Sequence, residues 1–269
     1  MHCDASCPIG IFDSGVGGLT VARAVMDRLP KENIVYFGDT ARVPYGVKSP
    51  ETVAGYAAQI TSFLLARKVK LLIVACNTMA AVALPAIAGL SPVPVLEVIS
   101  AGARSALAVS RSKRIGIIAT PSTIASRAYE KALVSLGGPD VYTVAKACPL
   151  FVPLVEEGWL DHPATRLVAQ EYLEPLRSQH LDTLILGCTH YPLLAPLLAE
   201  VAGPGVRLQD SATAVAERAA AILTERTLQN TTATPPRYDF HVTDMPLRFL
   251  EIGERFLGRP MENVHLEKL

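Results

Sequence analysis

Short apolar runs alternate with amphipathic segments from the start of this chain. Ile9-Gly10-Ile11-Phe12 precedes hydrophobic positions at helical spacing over residues 19–29. Ile34-Val35-Tyr36-Phe37 comes next, then a second amphipathic segment over 51–68 and the wholly apolar run 71–75. Strands buried on both faces need near-continuous apolar runs, and their alternation with period-3.6 segments predicts a parallel sheet flanked by helices. End signals agree: Ser49-Pro50-Glu51 offers a capping hydroxyl, a proline at the first helical position and an early acid. Thr120-Pro121 opens a helix in the same way, expected to run through Leu136 before Gly137-Gly138-Pro139 stops it. A second alternation, through 114–119, 141–144 and 183–186, predicts a second sheet, with 206–211 as its last strand. Beyond it we expect an amphipathic helix over 212–226, an exposed polar loop over 230–236, a strand over 238–242, a helix over 246–257 and a short strand over 264–266.

A length of 269 residues, half of them hydrophobic, points to two α/β domains. Lysine plus arginine equals aspartate plus glutamate at 25 each, with no long run of either sign, which argues against nucleic acid and acidic membranes as partners and leaves a small molecule. The most apolar stretch, 79–99, is broken by Pro85, Pro92 and Pro94 and does not read as a membrane span. Five cysteines without regular spacing, after a start that lacks a basic-then-apolar leader, predict a reduced cytoplasmic protein.

Two of those cysteines stand at corresponding places. Cys76-Asn77-Thr78 follows the apolar run 71–75, and Gly187-Cys188-Thr189-His190-Tyr191-Pro192 follows 184–186, so each thiol lies where a parallel strand empties toward a helix, the end at which open α/β sheets hold ligands. Either alone reads more readily as a packed small hydrophobe; two in matched settings suggest pseudo-symmetric halves and paired acid–base groups facing one substrate. Cys148, between apolar runs and before Pro149, reads as structural. Cys3 and Cys7 with His2 form a short terminal group without a second ligand cluster, and no metal is expected there. Phe12-Asp13-Ser14-Gly15-Val16-Gly17-Gly18-Leu19-Thr20 is a strand-to-helix glycine turn but no dinucleotide fingerprint, because Thr20 stands where the third glycine belongs. It lets backbone approach a small ion, or merely makes a capped turn. The Pro44-Tyr45-Gly46 loop is a candidate ligand cover or a simple turn. His190, two residues from a thiol, either tunes it or packs in the core. Glu156 and Glu157 end an apolar stretch and read either as a solvated helix end or as support for His190.

The motifs Phe12–Leu19, Pro44-Tyr45-Gly46, Cys76-Asn77-Thr78 and Gly187–Pro192 together resemble the glutamate racemases, a branch of the cofactor-independent aspartate/glutamate racemase superfamily. Aspartate racemases tend to carry an acid where this chain has His190, and residues 1–7 exceed what the family needs. The resemblance implies two pseudo-symmetric open parallel-sheet α/β domains, residues 1–98 with 211–269 and residues 99–210, with the active site between them. It implies interconversion of L- and D-glutamate without a cofactor, supplying D-glutamate for peptidoglycan, by a homodimer. Cys76 would take the proton from D-glutamate and Cys188 from L-glutamate. Asn77, Thr78 and Thr189 match positions that hold the α-carboxylate. Asp13 and Ser14 match those near the ammonium and the first thiol, and Tyr45 and Gly46 the loop whose backbone holds the side-chain carboxylate. Asp13 matches the group that tunes Cys76, and Glu156 with His190 the pair beside Cys188. The alternatives are a racemase of aspartate or another small acid, and a two-lobe binding protein. A thiol-redox protein is disfavoured, since there is no Cys-x-x-Cys.

Overall fold

The apolar runs become strands, and two sheets share them. In the computed structural model, which describes residues 4–269, the first stretch forms β1 (Ile9–Asp13), α1 (Leu19–Arg28), β2 (Ile34–Gly38), α2 (Pro50–Ala66), β3 (Leu71–Val74), α3 (Asn77–Val82), α4 (Leu84–Leu90) and β4 (Val95–Glu97). The middle forms α5 (Val98–Val109), β5 (Arg114–Ala119), α6 (Pro121–Ser126), α7 (Ala128–Gly137), β6 (Tyr142–Ala147), α8 (Phe151–Glu156), α9 (Pro163–Arg177), β7 (Thr183–Gly187), α10 (Ala195–Ala202) and β8 (Arg207–Gln209). The chain ends with α11 (Ala212–Glu225), β9 (Tyr238–Val242), α12 (Pro246–Leu257) and β10 (Val264–Leu266).

One sheet has the order β10-β9-β2-β1-β3-β4, the other β6-β5-β7-β8, and every pairing is parallel. Without the edge pair β9 and β10, the two orders coincide: each sheet runs second, first, third, fourth strand. The order reverses between β1 and β3 in one sheet and between β5 and β7 in the other, and ligands of open α/β sheets settle at that reversal, beyond the carboxyl ends of the strands. Phe12 pairs with Val74 and Ala119 with Gly187, so Ser14 lies level with Cys76 beyond the first sheet, as Thr120 lies level with Cys188 beyond the second. The central strands β1, β2, β3 and β7 are buried along their whole length, as two-sided coverage demands.

Two expected helices are broken. The segment after Cys76 splits at Ala83, because Pro85 in the first turn of α4 has no N–H to continue α3. The segment from Thr120 splits at Arg127, which adopts a left-handed φ of 54° after the Ser126 hydroxyl donates to Thr123 O and accepts from the Ala128 N–H. Pro192 opens a four-residue 3-10 turn, Tyr191–Leu194, and α10 begins only after it. The expected strand 206–211 shrinks to β8, and β6 runs three residues past the expected 141–144, along a half-exposed edge. β4 lies inside an apolar stretch in which the prolines hid it, and α8 and α9 were not delimited by the hydrophobic pattern.

At the opposite end of the first sheet, Lys70 is fully buried. Its Nζ pairs with Glu32 Oε2 at 2.5 Å and donates to the carbonyls of Ala5 and Leu228 at 2.6 and 2.8 Å, while Glu32 Oε1 accepts the Asn230 N–H. One ammonium thereby ties the start of the chain and the segment after α11 to the sheet. Replacing Lys70 with Met strands the Glu32 carboxylate in the interior, a loss of about 3–5 kcal/mol for a broken buried pair. A lowered urea midpoint is expected, partly regained in a double variant that also carries Glu32→Gln; an unchanged midpoint in Lys70→Met contradicts the claim.

No helix among the described residues is long and apolar enough to cross a membrane. His2 and Cys3 lie outside the described residues; Cys7 is a free thiol, and no cluster of three or more His, Cys, Asp or Glu placed to hold a metal occurs among the described ones.

Candidate active site

Both strand-end thiols line one cavity of about 370 Å³ between the lobes, a size suited to a small ligand. Two larger clefts, of about 660 Å³ between α1 and α11 and about 760 Å³ beside β9 and β10, have neither thiol in their walls. Around the shared cavity the lobes are joined by hydrogen bonds. The Thr78 and Thr120 hydroxyls meet at 3.0 Å, Tyr129 donates to Asn77 Oδ1 at 2.7 Å, and Thr20 donates to Thr189 O at 3.2 Å.

Cys76 caps α3, and its Sγ lies 3.7 Å from Ser14 Oγ. Burial, reinforced by the nearby Asp13 carboxylate, pushes this thiol up to about 12. Asp13 is itself raised by burial, against the opposing pull of His190 and the amides of Gly15, Gly18 and Ser14. Its Oδ2 accepts the Gly15 N–H at 3.0 Å, and its Oδ1 has no hydrogen-bond partner among the described residues. Gly18 makes this possible: a Cβ there would stand 2.5 Å from Asp13 Cβ and 2.8 Å from the Tyr36 hydroxyl, which donates to Gly15 O.

The Cys188 side is built differently. Cys188 Sγ is 3.9 Å from His190 Nδ1, and His190 Nε2 is 2.9 Å from Glu156 Oε1. Burial works against a charged imidazole, but the bonds to Cys188 and Glu156 outweigh it and hold His190 up to about 10. Both ring nitrogens of His190 therefore donate at neutral pH, one toward the thiol and one toward the carboxylate. Glu157, the other candidate, points to solvent and meets Arg248 at 3.5 Å. The phase of the last turn of α8 separates the two acids.

Ser14, Tyr45, Gly46, Asn77, Thr78, Thr189, His190 and Glu156 all line the cavity with the thiols; Asp13 and Glu157 do not. The Asn77 side-chain oxygen is taken by Tyr129, which leaves its NH₂ for a ligand. Tyr45 is buried with its hydroxyl turned away, donating to Asp39, so the loop offers the cavity backbone rather than phenol. Asp39 gathers the surroundings of that loop: Arg42 Nε donates to it at 2.6 Å and the Thr243 hydroxyl at 2.8 Å. Sequence reading missed Asp39, Thr120 and Val152. Thr120 carried a signal, since it follows β5 at the register that Ser14 holds after β1, but its role as a helix cap concealed it. Cys148 is buried away from the cavity, its thiol pushed up to about 12 by burial.

Residues 19–219 match the family model described as Asp/Glu/Hydantoin racemase. The chain is similar to the glutamate racemase of Syntrophus aciditrophicus, 62% identical over 262 residues and 97% of each chain. It is also similar to that of Neisseria meningitidis, 54% identical over 263 residues and 97% of each. Among solved structures it resembles the glutamate racemase of Francisella tularensis in complex with D-glutamate, with a TM-score of 0.93, 40% identity and 98% of each chain covered.

Proposed function

Because this chain belongs to the Asp/Glu/Hydantoin racemase family, on the side of the glutamate racemases, we propose that it interconverts L- and D-glutamate by two-base catalysis on its own thiols, without a cofactor. The observation that carries the chemistry is the position of Cys76 and Cys188 on one cavity, each contributed by a different lobe. A single base returns a proton to the face it came from; opposed sulfurs remove it from one face and deliver another to the opposite face. The intermediate carbanion is stabilised only by its surroundings, so donors must be aimed at the α-carboxylate in a site sheltered from water. The Asn77 NH₂ is free of the Tyr129 bond, and Thr78 and Thr189 line the same cavity. Ser14 lies at the ammonium end, and the backbone of Tyr45 and Gly46 holds the distal carboxylate. His190, kept charged, stabilises the anion that forms on Cys188; Asp13 and Ser14 serve Cys76. We assign Cys76 to D-glutamate and Cys188 to L-glutamate, D-glutamate supply for peptidoglycan as the role, the cytoplasm as the location and a homodimer as the assembly, all on family grounds.

L-Glutamate incubated with the protein in D₂O, with no additive, should lose optical rotation while deuterium enters the α-position. At early times the label should lie in the D-enantiomer and be nearly absent from the remaining L-enantiomer, as separate donor and acceptor require. Label divided evenly between both from the outset contradicts two bases, and equal turnover of aspartate contradicts the assigned substrate.

A further inference from the structure

The Cys188 half of the site is completed from the other lobe. Glu156 is the last residue of the six-residue helix α8; Val155 O accepts the Gly158 N–H at 3.0 Å, whereas the Glu156 carbonyl has no backbone donor among the described residues. Arg255 of α12, a helix between two strands of the Cys76 sheet, places Nη1 3.4 Å from both Val155 O and Glu156 O. Gly158 makes room for it: with φ +76° it turns the chain, and a Cβ there would stand 3.0 Å from Nη1. The next residue, Phe256, is buried and meets the His190 ring in a T-shaped contact, centroids 5.1 Å apart at 78°. Two adjacent residues of α12 thus reach both members of the His190–Glu156 pair, one through backbone and one through the ring.

We propose that Arg255 and Phe256 are positioning residues for proton transfer at Cys188, acting across the lobe boundary through Glu156 and His190. The inference rests on the racemase reading above. A cation at a helix C-terminus satisfies a carbonyl left without a backbone donor, here that of Glu156, and so fixes the backbone that carries the carboxylate. Among the described residues His190 is the only side chain hydrogen-bonded to the Glu156 carboxylate, so the placement of that backbone decides whether the 2.9 Å bond is made. Phe256 blocks rotation of the imidazole and keeps Nδ1 toward Cys188 and Nε2 toward Glu156. The titratable and charged groups around His190 are Cys188 on its own segment, Glu156 on α8, Asp13 at the end of β1 and, beyond Glu156, Arg255 on α12. Loosening Glu156 removes one of the two bonds that favour the imidazolium, so His190 surrenders its proton at lower pH.

The test is kcat/KM for glutamate against pH in the full-length protein and in Arg255→Met, Arg255→Lys and Phe256→Leu. Arg255 is exposed, so its replacement leaves the core intact, and a thermal melt verifies the fold of each variant. The alkaline limb is expected to move down by about one pH unit in Arg255→Met, the size of shift one hydrogen-bonded charge partner commonly produces. Arg255→Lys should restore most of that movement, and Phe256→Leu should lower kcat severalfold with little change in KM. Limbs that coincide with the parent's, or move upward, overturn the proposal however far turnover falls. A parent protein that does not racemise glutamate defeats the racemase reading instead, which separates the two failures.

Discussion

Cys76→Ser and Cys188→Ser each lose racemisation by about 10²–10⁴-fold, the range for removing a positioned acid or base, while losing it in different ways. A serine hydroxyl at either position is far too weak an acid to exchange protons at neutral pH, so one face of the α-carbon falls silent and the other does not. With Cys188 intact, Cys76→Ser should still wash deuterium out of α-labelled L-glutamate without inverting it, and leave D-glutamate untouched. Cys188→Ser should show the opposite preference. Free enantiomers have equal energy in water, so kcat/KM must fall equally in both directions whatever the substitution. The asymmetry is visible only in exchange, in isotope effects and in kcat and KM taken separately. Proton NMR of each labelled enantiomer supplies the readout, and wild-type turnover of both enantiomers by both variants sinks the assignment.

Gly17→Ala is the second large effect, and it touches neither thiol. A Cβ on Gly17 would overlap Thr189 Oγ1 and stand 2.5 Å from the His190 ring, in the loop that runs from β1 into α1 against the segment after β7. The contact lies across the lobes and not within one, so the added methyl is accommodated by parting them, at the expense of the Thr20 to Thr189 bond beside it. A misplacement of about 1 Å costs on the order of 10²-fold in rate where reacting groups must be held in line. Turnover should therefore fall about a hundredfold with little change in melting temperature, because the methyl meets polar groups at the lobe boundary and no apolar core side chain. A variant that melts early shows that the methyl disturbs a lobe, and one with parental kcat shows that the contact is not limiting.

Most of the fold could be read from the chain because both sheets are covered on both faces. Runs such as residues 71–74 and 184–186 are long and apolar for that reason, and the cap at Ser49 is local chemistry. The breaks at Ala83 and Arg127 depend on competition between adjacent helical turns. β4 was hidden because three residues straight after Pro92 and Pro94 carry too little pattern, although the ladder to β3 orders them. At the site, the thiols announce themselves by position at strand ends. The choice of Glu156 over Glu157 is different: it depends on the phase of a short helix whose limits the hydrophobic pattern did not fix. Asp39 reaches Thr243 and Thr120 reaches Thr78, partners distant in sequence, and no local spacing marks such contacts.

The chain passes between the sheets twice, from β4 into α5 at Glu97 and back from β8 into α11 at Ser211. The two passages run close together: a Cβ on Gly102 would lie 3.2 Å from Ser211 Cβ, and the Glu97 carboxylate accepts the amides of Ile99 and Ser100 at 2.5 and 2.8 Å. Together with the Thr78–Thr120 and Thr20–Thr189 contacts, these adjoining passages fasten the halves at several points around the cavity. The spacing of the two sulfurs is therefore a property of both sheets and of the connections between them, and a substitution at either passage, remote from every reacting atom, bears on it.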